Sequence, residues 1–159
     1  MFETRIIEYL NIPEMETYIS EKWSDWGRET FVTGRCIDQF AAVTDNHQWI
    51  HEDSDRIAES PYGARIAHGL LLVSLIPSLL PEEPFEMSGY RVRIVRGVDR
   101  LRLPSPVYVG DRIHARSRIR AVYAARSGKG TVIERDIEVW SSSGGEKPAV
   151  SCVLKLQYF

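Results

Sequence analysis

The sequence predicts an α+β domain in which an antiparallel β-sheet wraps around a central helix. Two observations predict this arrangement. The segment Arg65–Leu80 reads as a helix with almost no polar face, so other structure must enclose it. After Pro84 the apolar residues instead recur with a period of two, which is typical of strands that bury one face. We expect residues 1–159 to form a single domain, because this length suits one hydrophobic core.

The first half of the chain is predicted to contain short helices separated by an irregular segment. A proline suited to a first helical turn predicts a helix from Pro13 to Lys22. Thr33 is a suitable N-cap for a second helix, and Ser54 for a short third one at residues 55–59. Between these two helices, the polar segment Asp45–Asp53 has no regular periodicity.

The second half is predicted to form the sheet. The parity of the apolar residues switches across Val95–Gly97, which indicates a β-bulge. Residues 112–121 alternate arginine or histidine with smaller residues, which predicts one buried and one solvated face. Glycine-containing turns precede the strands Val132–Trp140 and Ala149–Tyr158. Because such a sheet has open edges, we expect the protein to dimerise.

Composition and charge argue against several classes of protein. The net charge of -2 gives no general attraction for nucleic acid or acidic membranes, so neither is an expected partner. No apolar run approaches the roughly 20 residues of a membrane helix, and the N-terminus lacks a signal-peptide pattern. We therefore expect a cytoplasmic protein. Cys36 and Cys152 are too isolated to form a disulfide framework or a metal site.

A first candidate for chemistry is the polar loop that ends at His51. Burial of Trp49 and Ile50 would fix the position of His51, and a fixed histidine can move protons near neutral pH. Taken alone, the loop is better explained by histidines that merely bond to the backbone.

A second candidate is the segment Ile66–Gly69, where the apolar helix is expected to begin. Gly69 removes a side chain where helix amides are unpaired, and such amides suit a carbonyl oxygen that gains negative charge. His68 would position substrate or neighbouring loops. Close packing of the helix on the sheet would explain the glycine as well.

Together the two candidate segments resemble the MaoC-like hydratase/dehydratase family, and within it the NodN-like branch. The residues that match in the first half are Phe40, Ala41, Thr44, His47–His51, Asp53, Ala58, Ser60, Pro61, Gly63 and Ile66–Gly69. Those in the second half are Gly97, Val98, Arg100, Arg102, Pro104–Val107, Gly110 and Ile113. The resemblance covers residues 26–159.

The resemblance implies a hot-dog fold and reversible hydration of a trans-2-enoyl thioester, on coenzyme A or acyl carrier protein, to an (R)-3-hydroxyacyl thioester. It implies that a histidine, here His51, and an acidic residue five positions earlier hold and deprotonate a water. The Gly69 amide would polarise the thioester carbonyl, and no metal or redox cofactor would take part. We assign substrate binding to Gly69, His68, Ser74 and Trp49.

The chain departs from the family pattern at two adjacent positions. Asn46 stands where the family has the acidic residue, and Asp45 where it usually has glycine. An asparagine can bind water but cannot accept a proton. One interpretation is that Asp45 replaces the missing carboxylate, and another is that His51 acts alone at a reduced rate. Alternatively, the protein binds acyl thioesters without hydrating them, or catalyses an isomerisation, elimination or cyclisation. A homodimer is expected, and pairing with an active homologue is the alternative.

Overall fold

The structure, a computed structural model, describes residues 4–159. In chain order the helices and strands are β1 (Ile6–Glu8), α1 (Ile12–Glu16), β2 (Thr30–Phe31), α2 (Gly34–Thr44), α3 (Gly69–Leu79), β3 (Glu86–Ser88), β4 (Arg93–Arg102), β5 (Arg112–Ala124), β6 (Thr131–Ser141) and β7 (Val150–Tyr158). The main sheet is antiparallel, in the order β2-β5-β6-β7-β4, and β1 pairs with β3 in a separate parallel ribbon. Strand β4 is thus an edge strand.

Helix α3 packs against the sheet through its most apolar side. Leu71, Leu72, Ile76 and Leu79 are buried in the same core cluster as the inward residues of β5, β6 and β7. The predicted sheet around a central helix is therefore confirmed. With 11 residues, α3 is as long as any helix between residues 4 and 159, and none of them could cross a bilayer.

The central helix differs from the prediction in two respects. It begins at Gly69 rather than Arg65, because Ile66 bridges Tyr108 and the amide of Ala67 donates to the carbonyl of Val107. It is also not enclosed on every side. Leu70 is 61% exposed, and Ser74, Pro77 and Ser78 are exposed on the same helix.

Helix α1 is also shorter than predicted, since it spans Ile12–Glu16 and not Pro13–Lys22. The chain after it turns toward strand β5, where Ile19 forms a parallel bridge with Ile119. In this segment, pairing with β5 takes the place of the predicted helix. The two N-caps are confirmed: the Thr33 hydroxyl accepts from the Cys36 amide, and Ser54 caps the short 3-10 helix Asp55–Glu59.

The strands contain the predicted β-bulge and two further register shifts. The register of β4 against β7 shifts between Val95 and Gly97, as predicted. It shifts again between Asp99 and Arg102, and β5 has a shift between Ile119 and Ala121. The bulge in β5 leaves Ala121 half-buried, so the predicted inward alternation ends at Ile119.

Gly27 fixes the far end of α3. Its amide donates to the carbonyl of Ala115 in β5, and a Cβ on it would lie 2.0 Å from the carbonyl oxygen of Leu79. We predict that Gly27→Ala destabilises the protein by about 1–3 kcal/mol. The added methyl group would force the end of α3 away from the segment that Gly27 bonds to β5. Gly145→Ala is the control, since nothing lies within 4 Å of its added Cβ. Urea unfolding would contradict this account if the two variants were equally stable.

Candidate active site

His51 is held by a junction between two segments of the chain. It ends a 3-10 turn, Trp49–His51, in which its amide donates to the carbonyl of Gln48 at 2.8 Å. Its ring Nδ1 lies 2.9 Å from the carbonyl oxygen of Ile66, and the Ile66 amide donates to the carbonyl of Ile50 at 3.2 Å. The loop and the segment before α3 are therefore joined by bonds in both directions.

The bond to Ile66 fixes the tautomer of the His51 ring. A carbonyl oxygen accepts only, so Nδ1 carries the hydrogen and Nε2 of the neutral ring is left as an acceptor. Burial lowers the pKa of His51 below its ordinary value of 6.5, and electrostatic interactions with the neighbouring His68 and Arg65 side chains lower it further. The bond to Ile66 opposes these effects without overcoming them. His51 can therefore act as a base at neutral pH.

Arg65 supports the backbone of His51 from the other side. Its Nε donates to the His51 carbonyl at 2.7 Å, and its guanidinium pairs with the carboxylate of Asp38 on α2. The sequence predicts only a helix start at Arg65 and does not indicate this role. Its position just before Ile66–Gly69 was the only available signal, and that does not reveal a bond to residue 51.

His68 brings the two candidate segments into contact. The side chain is only 2% exposed, and its ring centroid lies 3.8 Å from that of His51, with 30° between the ring planes. Its Nε2 lies 3.0 Å from the carbonyl oxygen of Asn46. Phe40 packs near the ring at 5.2 Å between centroids. The polar loop and the start of α3 thus belong to one cluster.

The start of α3 presents backbone amides. His68 occupies the N-cap position but makes no side-chain cap bond, and its carbonyl accepts from the amides of Leu71 and Leu72. The amides of Gly69 and Leu70 come first in the helix and so have no intrahelical acceptor. A Cβ on Gly69 would lie 2.4 Å from Cδ1 of Leu103. The glycine therefore permits the close approach of Leu103 to the helix start.

Asp45 and Asn46 follow directly from the end of α2. Asp45 caps this helix in the left-handed conformation, with φ of 53° and ψ of 34°, and it is exposed. Glycine adopts that conformation without strain, which fits the glycine that the resemblance implies at this position. Asn46 is also exposed, and its amide donates to the carbonyl of Ala41 at 3.1 Å. The catalytic roles of both remain predictions.

Trp49 lies within the polar loop, and Ser74 lies on α3 beyond its first turn. Trp49 is half-buried, with the guanidinium of Arg56 4.6 Å from its ring centroid. The Ser74 hydroxyl donates to the carbonyl of Leu70 at 2.9 Å, on the open face of α3. Their roles in substrate binding, like those of Gly69 and His68, remain predictions.

Comparison with known proteins identifies the family. The model of the MaoC-like domain matches residues 26–139. The chain belongs to the MaoC-like dehydratase family. This MaoC-like chain is 36% identical over 129 residues to 3-hydroxyacyl-thioester dehydratase Z of Mycobacterium tuberculosis, covering 79% of the chain and 80% of that protein. It is 41% identical over 81 residues to nodulation protein N of Rhizobium meliloti, half of each chain. The NodN-like branch is thereby confirmed.

The fold and the class of activity agree with the family. The (R)-hydratase from A. caviae superposes with a TM-score of 0.66 at 21% identity, covering 86% of this chain and 93% of that one. The predicted hot-dog fold of the MaoC-like chain is confirmed. Family membership supports a hydratase or dehydratase activity.

The lowered pKa of His51 predicts a pH-dependent stability. Between this pKa and 6.5 the unfolded chain binds a proton at His51 that the folded chain does not, so stability decreases as the pH falls below 6.5. His51→Asn keeps a donor for Ile66 but cannot titrate. We predict that wild type loses more unfolding free energy than this variant between pH 7.5 and 5, by at most about 1.4 kcal/mol per pH unit. Equal losses in urea unfolding would contradict a buried neutral imidazole.

Proposed function

We propose that this protein hydrates trans-2-enoyl thioesters to (R)-3-hydroxyacyl thioesters and catalyses the reverse dehydration. The observation that supports this most is the contact between His51 and His68, which joins an imidazole with a free Nε2 to the first amides of α3. The relative named a 3-hydroxyacyl-thioester dehydratase supports the thioester as substrate. Coenzyme A or an acyl carrier protein would present the acyl chain.

The proposed chemistry needs one base and one oxyanion donor. The Gly69 amide, which comes first in α3, donates to the thioester carbonyl. Nε2 of His51 takes a proton from water while the water oxygen bonds to the β-carbon. The π electrons of the double bond form an enolate whose oxygen the amide stabilises. The imidazolium then returns the proton to the α-carbon, so that water has been added and the base restored.

Asn46 has a more limited role than a carboxylate would have. Its amide oxygen and nitrogen orient the water, while His51 is the only group that moves protons. Without a negative charge beside it, the imidazolium is stabilised less, and the reaction is slower than with an aspartate. Asp45 is not a substitute in this proposal, because it is the left-handed cap of α2 and its side chain leaves the backbone one residue earlier than that of Asn46.

A second copy of the chain would complete the site. Leu70 and Leu103 are 61% and 47% exposed beside the amides that bind the carbonyl, although an oxyanion is stabilised best away from water. The edge strand β4 also exposes Ile94 and Val95. Pairing of two copies along β4 would cover this edge and the open face of α3. We therefore propose a homodimer.

Turnover of crotonyl-CoA tests the proposed reaction. We expect the purified protein to remove the enoyl absorbance and to form the (R)-3-hydroxy product. His51→Asn should lower kcat/KM by about 100-fold or more, because it removes the base while keeping the bond to Ile66. Asn46→Asp should raise it about tenfold or more, because a carboxylate stabilises the imidazolium.

Asp45→Gly is the matched control for the loop. Glycine accepts the left-handed backbone at this position, so the variant removes only the carboxylate. Little change in rate is expected, whereas a loss as large as that of His51→Asn would assign the catalytic carboxylate to Asp45. Absence of hydration by wild type on coenzyme A and carrier-protein substrates, with hydration by Asn46→Asp, would instead support a protein that binds thioesters without hydrating them.

The proposed dimer predicts different effects for two exposed apolar residues. Val95 in β4 and Leu10 near the N-terminus are both 54% exposed. Val95→Lys should shift the mass measured by light scattering from two chains toward one, because it places a charge in the interface. Leu10→Lys should leave the mass unchanged. A monomeric wild type that associates with a homologous chain would favour the hetero-oligomer instead.

A further inference from the structure

We propose that His68 is a positioning residue that holds Asn46 beside His51, so that the uncharged amide can orient the attacking water. This inference rests on the proposed hydration and adds to it the reason why an asparagine can serve in place of a carboxylate. A carboxylate is attracted to an imidazolium by its charge, whereas an amide must be placed by the backbone that bears it. The bond from His68 supplies that placement.

The peptide groups on both sides of Asn46 are fixed. Its amide donates to the carbonyl of Ala41 at the end of α2, at 3.1 Å. Its carbonyl lies 3.0 Å from Nε2 of His68, which must therefore carry the hydrogen. The first bond fixes Asn46 to helix α2, and the second fixes it to the start of α3. The asparagine side chain thus leaves a backbone held between the two helices that form the site.

The other nitrogen of His68 shows that the residue is not present for packing alone. With the hydrogen on Nε2, Nδ1 of the neutral ring is an acceptor, and it is buried with no hydrogen-bond partner in the part of the chain that the structure describes. An unsatisfied buried acceptor is unfavourable, and an apolar side chain would avoid it. A histidine at this position is therefore explained by the bond that its Nε2 donates to Asn46 and by the contact of its ring with His51.

The ring of His68 also supports the ring of His51. The two centroids lie 3.8 Å apart, and Phe40 lies 5.2 Å from the centroid of His68. The contact with His51 needs a flat ring, while the bond to Asn46 needs a donor at the position of Nε2. Phenylalanine keeps the ring alone, and glutamine keeps the donor alone. These two substitutions therefore separate the functions of His68.

A double-mutant cycle with enoyl-thioester hydration tests the proposal. His68→Phe should lower kcat by about 10- to 100-fold with little change in KM, because the water-orienting group is displaced from a site that still binds substrate. His68→Gln should recover most of this loss. In the Asn46→Ala background, His68→Phe should cost little more, because the group that it positions is already absent.

Three outcomes of this cycle would overturn the proposal. One is full additivity of His68→Phe and Asn46→Ala, which would make the residues independent. The second is a His68→Gln variant as slow as His68→Phe, since the donor would then not matter. The third is an effect on KM alone, which would indicate a substrate-binding role. Thermal unfolding of each variant identifies any that fail to fold, and His68→Asn then replaces a misfolded His68→Phe as the variant without a donor at Nε2.

Amide hydrogen exchange provides a measurement that does not require activity. The amide of Asn46 should exchange faster in His68→Phe than in wild type, and His68→Gln should keep the protection, because only the latter retains the bond to the Asn46 carbonyl. Equal protection in all three proteins would overturn the positioning role even if the wild type hydrated thioesters. Loss of protection without any hydration by wild type would reject the proposed function and retain the structural role.

Discussion

The bond between the ring of His51 and the carbonyl of Ile66 is the interaction on which the rest of the site depends. It fixes which ring nitrogen is protonated, and it joins the polar loop to the segment that leads into α3. The Ile66 amide simultaneously bonds to Ile50, so the two segments cannot move independently without losing hydrogen bonds. A proton acceptor and a set of helix amides are thereby held in one place by the main chain.

The sheet determines where that junction lies. Ile66 and Ala67 pair with the chain at Val107 and Tyr108, just before β5 begins. Because this pairing occupies their backbone groups, the helix cannot start until Gly69, and its first amides come next to His68. Leu103, the residue that follows β4, then packs against the glycine. The site is therefore a consequence of how the sheet curls around the N-terminal end of α3.

Much of the fold follows from local patterns in the sequence. The caps at Thr33 and Ser54 and the bulge at Val95–Gly97 depend on residues close together in the chain, and they could be predicted. The start of α3 could not, because residues 65–68 have helical spacing and only their pairing with a distant segment prevents the helix. The helix predicted from Pro13 to Lys22 was too long for the same reason, since the residues after Glu16 pair with β5 instead.

Some features of the site could likewise be predicted from the sequence, and others could not. His51, Gly69 and the departure at Asn46 were accessible from the residues and their resemblance to a family. The packing of His51 against His68 and the support from Arg65 depend on tertiary contacts that no spacing in the sequence encodes. The left-handed backbone at Asp45 is consistent with the glycine that the resemblance implies at this position. Geometry therefore decides how a family pattern with an altered residue is interpreted.

Nitrogen-15 NMR of the imidazole side chains tests the central claim most directly. The account predicts that His51 is neutral at pH 7, with its hydrogen on Nδ1 and a lone pair on Nε2, and that its pKa lies below 6.5. A ring that carries its hydrogen on Nε2 at pH 7 would contradict the account, because that nitrogen could not take a proton from a bound water. A ring that titrates above 6.5 would contradict it as well, because burial would then not lower the pKa of His51.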